Sequence, residues 1–371
     1  MQVRLNFIFV VFIILFFSNC EIKKASTDLN AEHYSKLIAN FESEGFTTGN
    51  ILIYEKGEVI FQSSKGLRTF DPKDSLTLAS QFRLASVSKQ FTGMAIMKLK
   101  QFDKIEYDQN VNTILSDFPY DNITIKHLLH HTSGIDDYIE VIDKKFKSQD
   151  YYNGYILGNE EILDIFYDAN LDLKFQPGEN YEYSNTGYLV LASIVEKISN
   201  QHFRDFLNDN FFEPLDMYNT KLYDYKEGYD SNMPNRVFGY RETENKNEYE
   251  LNDYDIVNGV RGDGGIYSTL EDLYKWNMAL VNYRVIPKEY LNEGWTSGKL
   301  NNGENISYGF GWVIDDDLKH KTVSHNGGWL GFGTHLYNEI DTKSGYIILT
   351  NDSSDTAFII KNKIDDIRSS N

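Results

Sequence analysis

The chain has 371 residues, room for one large domain or two ordinary ones, and its 41% hydrophobic and 25% charged composition with 6 prolines excludes a disordered or collagen-like chain. Its 36 basic residues against 55 acidic ones leave a formal charge of -19, a field that repels phosphate backbones, so nucleic acid is excluded as a partner. A single cysteine rules out both an internal disulfide and a Cys-based zinc cluster.

That cysteine stands at the first feature of the chain. Arg4 leads into an unbroken apolar run from Phe7 to Phe17. The run has the length of a signal-peptide core and falls short of the about 20 residues that cross a bilayer as a helix. Ser18-Asn19-Cys20 directly behind it resembles the lipobox of bacterial lipoproteins, in which the cysteine is lipidated. Asn19 departs from the Gly, Ala or Ser usual before that cysteine. Ordinary secretion, an uncleaved anchor, and a buried free cysteine in an apolar helix are the other readings. The expectation is a signal peptide over 1–19, a polar tether over 20–30 and a folded domain over 31–371, exported and lipid-anchored at Cys20 to a membrane of the bacterial cell envelope.

Within that domain Tyr34, Leu37, Ile38 and Phe41 recur at helical spacing, and Gly45 can end that helix. Ile51–Tyr54 and Glu58–Gln62, separated by Glu55-Lys56-Gly57, read as a hairpin. Helices are expected at Val87–Phe102, Ile123–His130, Tyr188–Ile198 and Leu270–Leu280, the last opened by a capping box at Ser268-Thr269-Leu270-Glu271. The segment from Glu242 to Asn252 is polar enough for a surface loop. Short strands follow at Tyr308–Ile314, Lys321–Ser324, Phe332–Tyr337 and Tyr346–Leu349, then a closing helix from Asp355 to Ile367. The fold class is α+β: an antiparallel sheet flanked by helices, built from 31–85 and 260–371 and interrupted by a mainly helical part, 86–259.

Three stretches carry residues suited to chemistry. Ser86-Val87-Ser88-Lys89 sets a hydroxyl and an amine three apart, on one face at the start of a helix, where free N–H groups and the dipole favour a developing oxyanion. The same residues equally fit an N-cap and a solvated lysine. Tyr183-Ser184-Asn185 precedes a helix, and in an extended segment Tyr183 and Asn185 point the same way; capping by Ser184 or Asn185 is the alternative. His325-Asn326-Gly327-Gly328 leaves a strand into a glycine-rich turn, where backbone N–H groups can approach a substrate oxygen. His127, His130 and His131 lack His-Glu-x-x-His spacing, and no metal site is expected. His131 near a helix end suits last-turn carbonyls. Tyr138, Tyr151, Tyr152 and Tyr155 wall a cleft or pack beneath a loop.

In chain order these motifs resemble the serine β-lactamase and penicillin-binding-protein superfamily, specifically its class C β-lactamase-like branch of D-aminopeptidases and esterases. Phe82-Arg83-Leu84-Ala85, His130-His131-Thr132-Ser133-Gly134, Pro214-Leu215-Asp216-Met217, Gly264-Gly265-Ile266-Tyr267-Ser268-Thr269 and Tyr308-Gly309-Phe310-Gly311-Trp312 extend the match, with Asp216 where a Gly is frequent. The resemblance implies Ser86 as the acylated nucleophile, Lys89 and Tyr183 as its bases, the N–H groups of Ser86 and Gly328 as oxyanion hole, and Asn185 and His325 as substrate-binding residues. It implies a serine hydrolase acting through an acyl-enzyme on an ester, amide, β-lactam or D-peptide, with no cofactor. The alternative is a slowly deacylating penicillin- or peptidoglycan-binding lipoprotein. His325 replaces the Lys common in class C β-lactamases, and near an unperturbed pKa of about 6.5 it is mostly uncharged at neutral pH, which points to a poor β-lactamase and a better esterase or peptidase.

Overall fold

A computed structural model describes residues 32–37, 39–40, 49–146, 156–169, 171–223, 233–245, 248–316, 319–352 and 354–369. The expected signal peptide, Cys20 and the tether lie outside these residues, as do Gly45 and Tyr151, Tyr152 and Tyr155.

In chain order the strands used below are β1 (Gly49–Glu55), β2 (Glu58–Lys65) and the short β3 (Phe82–Arg83), β4 (Lys221–Leu222) and β5 (Ile266–Ser268). The last four are β6 (Val313–Asp315), β7 (Thr322–Trp329), β8 (Phe332–Glu339) and β9 (Ser344–Thr350). The helices used below are α1 (Lys89–Gln101), α2 (Ile125–Leu129), α3 (Tyr138–Phe146), α4 (Asn185–Ser199), α5 (Leu270–Val281) and α6 (Ser354–Ser369).

Six strands form one sheet in the order β6-β7-β8-β9-β1-β2, and each pairing is antiparallel. The sheet therefore joins two distant parts of the chain, at the β1–β9 register Leu52↔Ile347. Successive side chains of a strand face opposite sides. Leu52, Tyr54, Ile347 and Leu349 accordingly enter the main core, while Ile51, Ile53, Tyr346 and Ile348 meet a second, smaller one. That second core is closed by Ala357, Ile360 and Ile364 of α6 and by Tyr34 of the helical segment at 32–37. Burial on both faces explains why Tyr346–Leu349 is a continuous apolar run with no alternation.

On the main-core side α1 is almost wholly buried, with Phe91, Met94, Ala95 and Met97 inside. At Gly93 a Cβ would lie 2.0 Å from Phe310 O, so only glycine lets this helix approach that segment. The α+β architecture agrees with the sequence reading, with local differences at an expected loop, at a helix cap and at the expected strand Tyr308–Ile314, where the strand is Val313–Asp315. The expected loop around Glu242–Asn252 contains a hairpin, Tyr240–Glu242 paired with Tyr249–Leu251, held by Phe70, which packs its ring 4.5 Å from Tyr240 and 4.7 Å from Tyr249. Two aromatic anchors in a polar stretch outweigh its loop-like composition. The α5 cap is one residue later than expected: Thr269, not Ser268, accepts the Asp272 N–H at 3.3 Å. Asp216 takes a left-handed φ of 55°, a conformation glycine adopts freely and Asp tolerates better than most residues.

Candidate active site

The short strand β3 pairs with β5, Phe82 opposite Ser268 and Arg83 opposite Tyr267, and the Leu84 N–H extends the ladder to Ile266 O at 2.8 Å. Ala85 then turns the chain through a left-handed φ of 48°, and a 3-10 turn over Ala85–Ser88 leads into α1. A buried non-glycine residue in this region costs about 1–2 kcal/mol. Packing enforces it: Thr334 Oγ1 donates to Leu84 O at 2.8 Å, and Ser88 Oγ accepts the Ile266 N–H at 3.3 Å. The result lifts Ser86 off the strand end into a cleft. Ser86 is therefore not the cap of α1; Ser88 occupies that position, with no side-chain hydrogen bond to the helix it opens.

Lys89 is the hub. Its side chain is 0% exposed, yet Nζ lies 3.2 Å from Ser86 Oγ, 2.7 Å from Asn185 Oδ1 and 3.0 Å from Asp263 O. An ammonium has three N–H donors, and these three acceptors use them all. The reading of Lys89 as a solvated surface lysine is thereby excluded. Nζ also sits over the Tyr183 ring, 4.9 Å from its centroid. The structure thus brings together Ser86, Lys89, Tyr183 and Asn185.

Asn185 opens α4, but Ser184 makes no side-chain cap there. The cap comes from Asp137, whose Oδ2 accepts the Asn185 N–H at 2.7 Å and Asn185 Nδ2–H at 2.9 Å, while Oδ1 accepts the Ile139 N–H at 2.9 Å. Burial raises the Asp137 pKa, and the two backbone N–H bonds oppose that shift. Because the amide nitrogen is committed to Asp137, Oδ1 of Asn185 must face Lys89. Asp263 adds a further carboxylate: Tyr138 donates to its Oδ2 at 2.9 Å, and burial holds that phenol well above its usual pKa, so it remains a donor. Asp137, Tyr138 as a ligand of Asp263, and Asp263 itself are absent from the sequence reading. No spacing pattern marks them, since each reaches the site from a loop or helix distant in the chain.

His325 lies on β7, 3% exposed. Nδ1 is 2.6 Å from Asn326 O, which only accepts, so Nδ1 carries the hydrogen; Nε2 then accepts from Tyr308 Oη at 2.8 Å. Burial, aided by the positive charge at Lys89, pushes the imidazole down to about 3, so it is neutral in this setting, as its type suggested. Two residues on, a Cβ at Gly327 would lie 2.3 Å from Leu84 O. Glycine there lets β7 lie directly on the Leu84–Ala85 segment, which brings Gly328 beside Ser86.

Ser86 and Gly328 together line two adjoining hollows. One is walled by Tyr181, Tyr183, Tyr308, Val313 and His325, and among the described residues its wall carries no charged side chain. The other includes Arg83, Asn185, Asp263 and Trp329. The His131 ring does not meet last-turn carbonyls, and both the His130 and His131 rings face backbone groups from elsewhere in the chain. His130 Nδ1 meets Tyr308 O at 2.8 Å, and His131 Nδ1 accepts the Ser184 N–H at 3.1 Å.

A family model described as Beta-lactamase matches residues 34–366. The chain is 33% identical over 335 residues to penicillin-binding protein 4* of Bacillus subtilis, covering 88% of this chain and 73% of that one. It is 24% identical to a D-aminopeptidase of Gluconobacter oxydans, covering 86% of this chain and 58% of that longer one. Among solved structures, a penicillin-binding protein from Bacillus halodurans superposes with a TM-score of 0.76 at 25% identity, covering 89% of this chain and 98% of that one.

Proposed function

We propose, since this chain belongs to the serine β-lactamase and penicillin-binding-protein superfamily, that it is a serine acyl-hydrolase in which Ser86 carries the acyl group. One observation carries the reading: a fully buried lysine amine within 3.2 Å of a hydroxyl raised at a strand-to-helix turn. Nothing about packing requires a lysine there, and burying its amine is costly unless it serves the neighbouring oxygen.

In this reading Ser86 Oγ attacks the substrate carbonyl as its proton passes to the Lys89–Tyr183 pair, which carries one proton fewer than an ammonium beside a phenol; a Tyr183 phenolate next to the Lys89 ammonium meets that count. Tyr183 Oη has no hydrogen-bond partner among the described residues, so it is available to hold that proton and return it to the leaving group. The N–H groups of Ser86 and Gly328 stabilise the tetrahedral oxyanion. Because Tyr183 is the acid, the leaving group lies in the uncharged hollow beside Tyr181, Tyr308 and His325, and the acyl part lies on the Asn185–Asp263 side. Water then enters and the same groups, in reverse, release the acid. An uncharged leaving-group side suits neutral esters, amides and D-amino-acid peptides over anionic β-lactams, and the D-aminopeptidase relative supports the amide and peptide part of that range. Export and a lipid anchor at Cys20 belong to the same reading, on the sequence grounds alone.

Intact-mass spectrometry after a fluorophosphonate probe tests it. One adduct on Ser86, absent in Ser86→Ala, is expected, together with turnover of a short-chain ester. An adduct elsewhere refutes the assignment. A penicillin adduct that persists for hours, with no ester or peptide turnover, favours the slowly deacylating binding protein instead.

A further inference from the structure

We propose that His131 is a positioning residue that holds Tyr183 in its reacting pose by gripping the chain on both sides of it and stacking on its ring; this rests on Tyr183 acting as the acid–base group. His131 O accepts the Glu182 N–H at 3.0 Å, and its Nδ1 accepts the Ser184 N–H at 3.1 Å. Between these two bonds lies Tyr183, whose ring centroid is 4.2 Å from that of the imidazole at 32°. Three contacts from one residue thus fix the backbone before and after Tyr183 and one face of its phenol. They matter because the Tyr183 hydroxyl has no other tie to the described protein.

His131 is itself immobilised. It is 1% exposed, has a left-handed φ of 57°, and its ring is packed against Tyr188 at 5.1 Å and Tyr308 at 4.6 Å. Accepting the Ser184 N–H requires an unprotonated Nδ1, so the hydrogen is on Nε2, and that buried N–H has no partner. A buried donor left unsatisfied costs about 1–3 kcal/mol, which a purely apolar residue would avoid. The imidazole at this position is explained by what Nδ1 does for residue 184, not by packing alone. Burial and the positive charge at Lys89 hold its pKa well below the usual value, so the acceptor persists across the working pH range.

Two variants separate the contacts. His131→Phe keeps a stacking ring without the acceptor; His131→Asn keeps an acceptor near Nδ1 without the ring. Each is measured for kcat and KM on a neutral ester, alone and combined with Tyr183→Phe, alongside the melting temperature. A misplacement of an acid–base group costs on the order of 10-fold to 100-fold, so each His131 variant should lower kcat by that factor with KM within about 3-fold. In the Tyr183→Phe background the further loss should shrink to less than about 3-fold, because the residue acts through Tyr183. Unchanged kcat, or the same loss with and without the Tyr183 hydroxyl, overturns the proposal. If His131→Phe does not fold, His131→Asn decides alone. Should Tyr183→Phe by itself leave turnover unchanged, the acid–base reading of Tyr183 falls, a result distinct from full additivity, which removes only the His131 clamp.

Discussion

The neutral His325 makes a selective prediction about substrates and pH. Its imidazole, pushed down to about 3 by burial and by the charge at Lys89, stays neutral at pH 5.5. An unperturbed histidine would be about 90% protonated there. The ratio of kcat/KM for an anionic β-lactam to that for a neutral short-chain ester should therefore be low and flat from pH 8 to 5.5. His325→Lys supplies a fixed charge. Two unit charges about 4 Å apart are worth at most about 4 kcal/mol at an effective dielectric of 20, and desolvation and the nearby Lys89 take back much of that. The variant should raise the β-lactam-to-ester ratio by roughly 10-fold to 100-fold. Parallel initial-rate assays of both substrates across this pH range, on wild type and variant, decide the matter. A wild-type ratio that climbs 10-fold or so on acidification, or β-lactam turnover at pH 8 that equals ester turnover, refutes the reasoning.

Asp137→Ala removes the acceptor that caps α4 and orients Asn185, so it should cost about 1–2 kcal/mol in urea unfolding and slow ester turnover by roughly 10-fold; unchanged values in both would detach Asp137 from the site. His130, His325 and His335 are held at about 4, 3 and 4 by burial, below the unfolded value near 6.5, so the stability they confer is complete above about pH 6.5 and is lost as pH falls towards their folded values. Each should contribute a loss of about 2 kcal/mol by pH 5, read as a fall in melting temperature from pH 7 to pH 5, and a constant melting temperature would contradict the burial of neutral imidazoles. Metabolic labelling with a clickable fatty acid should mark the wild-type protein and not Cys20→Ala; label retained in that variant, or an intact Met1 terminus in wild type, would refute the anchor.

What was legible in the sequence was local. Ser86 and Lys89 are three apart at a helix start, and Tyr183 and Asn185 two apart in an extended segment, so their shared directions follow from backbone periodicity. That the two pairs converge on one amine, Lys89 Nζ bonded to both Ser86 Oγ and Asn185 Oδ1, is a tertiary fact carried into the sequence reading only by the order of the motifs. The roles of Asp137 and Asp263 were not legible, because each acts across dozens of residues of separation on a partner with no fixed spacing from it, and the Tyr308 motif gives no sign of its bond to His325. His131 was misjudged for a related reason. A helix end is a local signal, whereas its acceptor role depends on where residue 184 is brought. Aromatic anchoring likewise placed paired strands, Tyr240–Glu242 and Tyr249–Leu251, where a loop from Glu242 to Asn252 was expected.

The neutrality of His325 follows first from its burial and then from how Lys89 is accommodated. All three groups that meet Nζ are dipoles, a hydroxyl, an amide oxygen and a backbone carbonyl, and the Asp137 carboxylate reaches it only through Asn185. A buried positive charge satisfied in this way has no surplus anion to share with a second one. The charge at Lys89 already adds to the effect of burial on the imidazole at 325, and the Tyr183 ring lies near both, 4.9 Å from Nζ and 6.3 Å from the imidazole centroid. A permanent cation at 325 would lack a counter-ion in the empty site, and an anionic substrate would have to supply it. A neutral imidazole pinned by Tyr308 and Asn326 O avoids that demand, and in the same stroke it gives up the attraction an anionic leaving-group side would need. In the proposed function the substrate preference would be set by the burial of residue 325 together with the electrostatics around Lys89, because the buried amine beside Ser86 limits what residue 325 can offer a ligand.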